Sequence, residues 1–587
     1  MRTGVFVLAL CAMLFGEISS AQTSMLDLSF GSAGTRRDSI NGRGGWDDRA
    51  SAVAVQPNGK IVVAGRSGGP SLHWTMALAR YDTDGTLDST FGTKGTIRTY
   101  ISGGQNTDDE ATSMVIQPDG KIVVGGYTFI SSTIGVQFAA ARFDTNGVLD
   151  NGFGGQGGTV RTAIGGVDGL AQSNAIALQP DGKLVLAGFC EAPPLNRTFA
   201  LARFYPEGVL DPTFGSGGTL RGKFNPSSNA SASAQAVAVQ KDGKILIAGT
   251  VGGLFGVARF DTDGTPDNSF GVNGVATTMI TGGTGTLDYV YGMVLQPDGR
   301  IVLAGWSQDT SSNVTFAVAR LNADGTADSA FGSNGSARNV VAGSVLSNCL
   351  GYSVALQNDG KIVMAGTSYD ASGNAAFAVM RFDTSGNPDD TFGTHGTTRN
   401  FIAGGSGMKD QGSSVALQGD GKIVAAGSSD GPPDHPGLVF AVARYLKENP
   451  PVAVRSSASP VPASYSLSQN YPNPFNPTTT IEYSIPVGTY GHTSLRVYDI
   501  LGREVSVLVN EREAAGTYTL QFDGSGLSSG VRFRQLVWKR VRRPPAPGWD
   551  DGVSKSRPAA PYRPHGGSFF RRSAAASRWQ RWRWRLS

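Results

Sequence analysis

The chain is poor in the residues that most enzymes and most metal sites are built from. Three of its 587 residues are cysteine and five are histidine. Cys11 falls in the N-terminal apolar run, and Cys190 and Cys349 stand about 160 residues apart, a spacing that suits neither a metal site nor a disulfide framework. Cys190 and Cys349 are therefore expected to be unpaired. His73, His395, His435, His492 and His565 are equally scattered, so no bound metal and no cofactor is expected. There is no P-loop, and no constellation commits any residue to catalysis. Long apolar runs are missing too. Val5 to Phe15, the longest, is too short to cross a bilayer. With Arg2 ahead of it and Ser19 and Ala21 behind, it reads as a signal peptide over residues 1–21, so secretion is expected and a transmembrane segment is not.

Charge is also scarce, at 16% of residues, and unevenly spread. Residues 532–587 hold 15 Lys and Arg against 2 Asp and Glu, leaving the rest of the chain with a net −9. An acidic body argues against nucleic acid as a partner.

What the chain does have is glycine, 81 residues of it, and repetition. One phrase recurs seven times, beginning at Gln56 (QPNGKIVVAG), Gln117, Gln179, Gln240, Gln296, Gln357 and Gln418, at spacings of 61, 62, 61, 56, 61 and 61 residues. Each copy follows a short alternating run such as SAVAVQ, turns at Asn-Gly or Asp-Gly, and continues into a β-branched run, which predicts a hairpin of strands a and b. A third run ends in Arg80, Arg142, Arg203, Arg259, Arg320, Arg381 or Arg444 and predicts strand c. A Phe-Gly pair then leads into strand d. Four antiparallel strands per repeat make a propeller blade. No Phe-Gly pair follows Arg444, but LDLSFGSAGT at Leu26 supplies one ahead of the first hairpin. The N-terminal strand is thus expected to complete the last blade, giving an all-β, seven-bladed propeller over residues 26–446 with no free sheet edge at the join.

Segment lengths point to one face. The distance from the Phe-Gly glycine to the next phrase is 25 residues in every repeat, whereas strands b and c are joined by segments of varying length. Loops b–c and d–a leave a blade on the same side, so that side is the expected ligand face. Trp74, Trp306 and Tyr369 are assigned to its b–c loops, where they could stack on sugar rings. In six repeats the recurring Arg stands eight residues before an Asp: Arg80 and Asp88, Arg142 and Asp150, Arg203 and Asp211, Arg259 and Asp267, Arg320 and Asp328, Arg381 and Asp389. A catalytic pair is needed once but a blade-stabilising pair is needed in each blade, so these are expected to be structural ion pairs. Ring closure pairs Arg444 with Asp27. The Asp-rich turns, such as Asp82 and Asp84, have the wrong spacing for a calcium loop and read as turn chemistry. Asp108, Asp109 and Glu110 read as a solvated acidic loop.

The phrase Q-x-D-G-K-I-V-x-A-G with the following A-R-F and F-G resembles the bacterial delta-60 repeats, which implies a secreted β-propeller without supplying a ligand or a catalytic residue. After a Pro/Ser-rich linker at 447–464, residues 465–531 show strand alternation broken by Pro, Asn and Gly, enough for a small β-sandwich. The motifs Asn470 to Pro477 (NYPNPFNP) and Val497 to Gly502 (VYDILG) resemble the type A C-terminal sorting domain of type IX secretion cargo. That resemblance implies the type IX machinery of a Bacteroidetes-like bacterium as a partner and an outer cell-surface or secreted location. Residues 532–587, with five of the eight tryptophans, depart from that pattern and read as a changed reading frame that leaves the domain incomplete. The function expected is a non-catalytic binding or adhesion propeller for an extracellular carbohydrate or protein. The alternatives are an extracellular polysaccharide hydrolase or lyase, or a structural surface-layer protein.

Overall fold

In the computed structural model the described residues are 25–40, 46–69, 73–101, 107–131, 134–155, 157–164, 169–192, 196–225, 231–284, 287–341, 344, 348–402, 409–431 and 437–449, followed by the C-terminal strands named below and Ser468. The leader, Gly103 and Gly104, and Asn470 to Pro477 lie outside them. The chain forms two compact units, Met1–Asn449 and Pro450–Ser587.

The first unit consists of strands in groups of four. Blade 1 comprises strands a to d at Asp48–Val55, Ile61–Gly68, Trp74–Tyr81 and Thr96–Thr99. The next five blades repeat this order, with their a strands at Asp108–Ile116, Leu170–Leu178, Ala236–Val239, Asp288–Leu295 and Cys349–Leu356. Blade 7 takes Gln411–Leu417, Ile423–Asp430 and Leu438–Tyr445 from one end of the unit and Thr35–Asp38 from the other, with Thr35 opposite Ala443. All strand ladders within a blade are antiparallel, and neighbouring blades are also joined by parallel bridges, Leu170 to Val136 between blades 2 and 3 and Ala375 to Lys409 between blades 6 and 7.

The phrase IVVAG is apolar without alternation because strand b is buried on both faces. Ile61 and Val63 pack towards blade 7, while Val62 and Ala64 pack towards blade 2. Seven apolar clusters of this kind lie among the described residues, one at each seam between neighbouring blades. Period-two geometry sends successive side chains to opposite faces, so each strand b serves two seams at once.

The recurrent arginines stitch the seams on the side where turns a–b and c–d emerge. Each pairs with its aspartate at 2.7 to 2.9 Å, including Arg444 with Asp27 at 2.9 Å. The guanidinium lies over the phenylalanine of the Phe-Gly pair, as Arg80 does over Phe91 at 4.3 Å. It also donates to a carbonyl in the next blade's c–d turn: Arg259 to Ala323 at 2.7 Å, Arg320 to Thr384 at 2.7 Å, Arg80 to Thr145 and Arg444 to Thr83. A second cation, the Lys or Arg of the phrase itself, reaches the same carboxylate, as Lys60 does to Asp88 at 2.7 Å. Although burial alone would raise Asp88 and Asp389, Lys60 and Thr90 hold Asp88 well below the ordinary carboxylate range, and Lys361 and Thr391 hold Asp389 at about 2.

Blade 7 has no c–d turn, since the chain leaves the ring after Tyr445. Residues 446–449 occupy that role. The Lys447 carbonyl accepts from Arg381, and the Asn449 side chain accepts from Gly393 N at 2.5 Å and donates to the Asp390 carbonyl at 3.1 Å.

In the second unit, Val454–Arg455, Gly516–Asp523, Thr478–Ile485 and Ser466–Leu467 form one four-stranded sheet, and Glu504–Glu513, Gly491–Tyr498, Val531–Arg540 and Gln580–Arg585 form another. Ile481, Tyr483, Tyr518 and Leu520 of the first share an apolar cluster with Leu495, Val497 and Val509 of the second. Val531–Arg540 pairs along the whole of Gly491–Tyr498, and Gln580–Arg585 pairs with its first half.

Candidate functional site

The b–c and d–a side of the propeller opens onto a central cavity of about 490 Å³ walled by the a strands of all seven blades. Its shape follows from a defect repeated around the ring. In six of the seven blades the a–b ladder skips one residue, between Ala50 and Ala52 in blade 1 and at the equivalent place in blades 2, 3, 5, 6 and 7. A β-bulge leaves one residue unpaired and re-aims its side chain. The skipped residues are Ser51, Thr112, Asn174, Tyr291, Tyr352 and Ser413; with Gln235 from blade 4, all line the cavity.

The bulge also explains the last glycine of the phrase. A Cβ on Gly65, Gly126, Gly188, Gly305 or Gly366 would sit 1.9 Å from a strand-a carbonyl oxygen, closer than any side chain tolerates. Only glycine lets the bulged strand approach.

The ring is not uniform. Blades 7, 1, 2, 3 and 4 place Ser, Ser, Thr, Asn and Gln on the cavity wall, while blades 5 and 6 place tyrosines. Tyr291 and Tyr352 meet edge to face at 5.3 Å, and Tyr369 lines the same wall. Burial, with Tyr291 and Tyr369 nearby, pushes the Tyr352 hydroxyl up to about 12. Behind this wall Trp306 stacks on Tyr289 at 4.4 Å.

Two expectations are corrected here. Trp74, Trp306 and Tyr369 are in strands rather than in b–c loops: Trp74 opens strand c of blade 1 opposite Gly68, and Trp306 and Tyr369 belong to the b strands of blades 5 and 6. The b–c hairpin runs several pairs beyond the phrase that marks it, which carries these residues into the ladder. Tyr369 lines the cavity, Trp306 supports it from behind, and Trp74 lies in blade 1 under the Arg66 guanidinium at 4.4 Å. The acidic loop is also a strand. Asp108 accepts from Trp74 N at 2.9 Å, Asp109 is fully buried, and Glu110 is held by Arg66 at 2.5 Å and Tyr127 at 2.8 Å.

Asp109 belongs to a set that sequence reading passed over. Asp48, Asp109, Asp288 and Asp410 are fully buried, eight residues before the phrase in their repeats, and each accepts a backbone N–H from an isoleucine eight residues upstream. They fix the incoming d–a connection. Burial raises the Asp109 and Asp288 carboxyls against the opposing pull of Thr128 and Ser307. The turn aspartates are engaged locally: Asp84 accepts from Thr86 N at 2.9 Å and Oγ1 at 2.7 Å. No group of His, Cys, Asp and Glu among the described residues has the arrangement of a metal site. Cys190 and Cys349 are buried and free.

Six segments, 56–91, 117–153, 179–214, 240–270, 296–331 and 357–392, match the family described as a domain of unknown function (DUF5122) beta-propeller. The seventh phrase falls outside these segments; its blade is split between the two ends of the unit, so no continuous stretch contains the whole repeat. Residues 469–538 match a secretion system C-terminal sorting domain. No curated protein matches the chain in sequence. Similar solved structures include a glucose dehydrogenase (10% identity, TM-score 0.32, covering 56% of this chain and 95% of that one). An endo-arabinase from Bacteroides thetaiotaomicron (10%, TM-score 0.24, 50% and 94%) and a polysaccharide lyase family 25 ulvan lyase (11%, TM-score 0.25, 82% and 97%) are others.

Proposed function

We propose, from the premise that the chain is a secreted or cell-surface β-propeller of DUF5122 repeats carrying a secretion sorting domain, that it is a non-catalytic binding or adhesion module. The central cavity and the surrounding b–c and d–a loops would engage an extracellular carbohydrate or protein. The observation that carries this reading is the chemistry of the cavity wall: hydroxyl, amide, thioether, aromatic and aliphatic groups, with no Asp, Glu, His, Lys or Arg among the described residues that line it. Hydrolysis of a glycosidic bond needs a pair of carboxyl groups flanking the scissile bond, and elimination needs a base within reach of the proton. The carboxyls nearest the lining residues in sequence are engaged elsewhere: Asp370 accepts from Ser372 N and Asn374 N, Asp410 is fully buried and accepts from Ile402 N, and Glu110 is held by Arg66 and Tyr127.

The test is to incubate the exported protein with arrays of extracellular polysaccharides and cell-surface proteins and to analyse any ligand it retains. Recovery of the ligand intact supports a binding module. Shortened or unsaturated products would replace it with a hydrolase or a lyase, and retention of nothing, with the protein instead assembling on the cell, would favour a surface-layer component.

A further inference from the structure

We infer that the cavity is a receptor for the end of an uncharged glycan chain, with the Tyr291 and Tyr352 wall taking the C–H face of a sugar ring and the Asn174, Gln235 and Thr112 wall taking its hydroxyls. This rests on the binding reading above and gives it a ligand class.

The repeat supplies its own control. One structural position, five residues before each phrase, reaches the cavity from every blade. Five blades fill it with a small or medium polar residue, so a blade folds and packs with Ser, Thr, Asn or Gln there. Blades 5 and 6 are adjacent and both carry Tyr, and Tyr369, at the end of a different strand, joins the same wall. Folding does not require the rings of Tyr291 and Tyr352, whereas ligand contact accounts for them. They are half-buried and flat, and Tyr291 and Tyr352 brace one another edge to face at 5.3 Å. A braced aromatic facing a cavity is a large apolar surface at low entropic cost.

The opposite wall is suited to hydroxyls. Thr112 Oγ1 donates to the Ser173 carbonyl at 2.9 Å, which orients the hydroxyl and turns its acceptor side elsewhere. Asn174 is held by donation to the Ala234 carbonyl at 2.9 Å, which fixes its amide plane. A sugar ring has the same two-sidedness, apolar on one face and polar at its rim.

Charge and size narrow the class. A carboxylate or sulfate drawn into a cavity with no cation among its described lining residues would lose hydration without compensation. Uronic, sialic and sulfated sugars are therefore disfavoured. At about 490 Å³ the cavity falls within the range of small-molecule sites and far below the surface a protein partner buries, so it suits a chain end entering along the axis.

The test measures binding of the full-length protein to neutral hexaoses (cello-, laminari-, manno- and xylohexaose) and to acidic probes (oligogalacturonate, sialyllactose), by calorimetry. The result expected is binding of at least one neutral hexaose and of neither acidic probe. Tyr291→Ala and Tyr352→Ala should each weaken that binding at least tenfold, while Val272→Ser on the outer surface leaves it unchanged. Unaltered thermal unfolding of the variants excludes misfolding, and Tyr352→Phe, which keeps the ring, should retain binding within a few fold. Preference for the acidic probes, indifference to both alanine variants, or failure of every neutral hexaose would each overturn the inference. In the last case, binding of the fluorescent full-length protein to whole cells separates the two readings. Cell binding that survives would leave a binding module with another ligand, and its absence would remove that reading as well.

Discussion

Asp27 is a residue on which the ring depends. It accepts from Arg444 at 2.9 Å and Lys422 at 3.3 Å and caps Ser29, so one carboxylate from the start of the unit holds two cations from its end. Asp27→Ala leaves Arg444 buried without its carboxylate, which costs about 3 to 5 kcal/mol. The variant is expected to melt well below the parent in calorimetry, and an unchanged melting temperature would show that the pair contributes nothing. The same carboxylates set the acid limit. Asp27, Asp88, Asp150, Asp211, Asp267 and Asp389 are all held below their ordinary values. A depressed folded-state pKa contributes stability that is complete above the unfolded value near 4 and is lost as pH falls through the folded one. Urea midpoints should be flat from pH 7 to 5 and fall steeply between about pH 4 and 2. Asp288 has the opposite sign, since burial raises its carboxyl and its charge therefore opposes folding at neutral pH. Asp288→Asn, which still accepts from Ile280 N, should leave stability at pH 7 equal or higher, as urea denaturation would read. The spacing of eight between Arg and Asp is visible in the sequence. Lys60 and the Thr145 carbonyl, which complete the group in blade 1, are not, because they come from another strand and another blade.

Among the elements, the bulged strand a decides where the cavity wall is. Gly305→Ala would drive a methyl group into the Tyr289 carbonyl. It should straighten the bulge, withdraw Tyr291 from the wall and lower both stability and ligand retention, the first measured by calorimetry and the second on the array described above. The exit segment is an element as well, although it has no regular structure. Ending the chain after Asn449 should preserve the melting temperature of the propeller, and ending it after Tyr445 should lower it, because Arg381 and Gly393 lose their partners in the segment. Strands a and b are legible from the Asn-Gly and Asp-Gly turns that join them. The ends of strands b and c are not, because the b–c hairpin continues as far as its backbone pairs, and no turn residue marks the place. That is why Trp74 and Tyr369 read as loop residues. The bulge leaves a fainter trace: a glycine in every phrase with no turn to explain it.

For the molecule as a whole, the number of blades follows from counting Phe-Gly pairs, and the split blade from finding one of them ahead of the first hairpin. What counting does not reveal is the mixed wall of the cavity, because residues 61 or so apart become neighbours only when the ring closes. Closure joins the earliest strand made, Thr35–Asp38, to Leu438–Tyr445, among the last. A protein lacking residues 25–38 should expose Leu438–Tyr445 as a free edge and self-associate, which size-exclusion chromatography would detect. The exit segment has one more consequence. Lys447 and Asn449 dock among the c–d turns, on the side of the disc opposite the cavity mouth. The chain therefore leaves this unit from its c–d turns, and a pull on the exit loads the Arg381 and Gly393 contacts before it reaches any strand that lines the cavity.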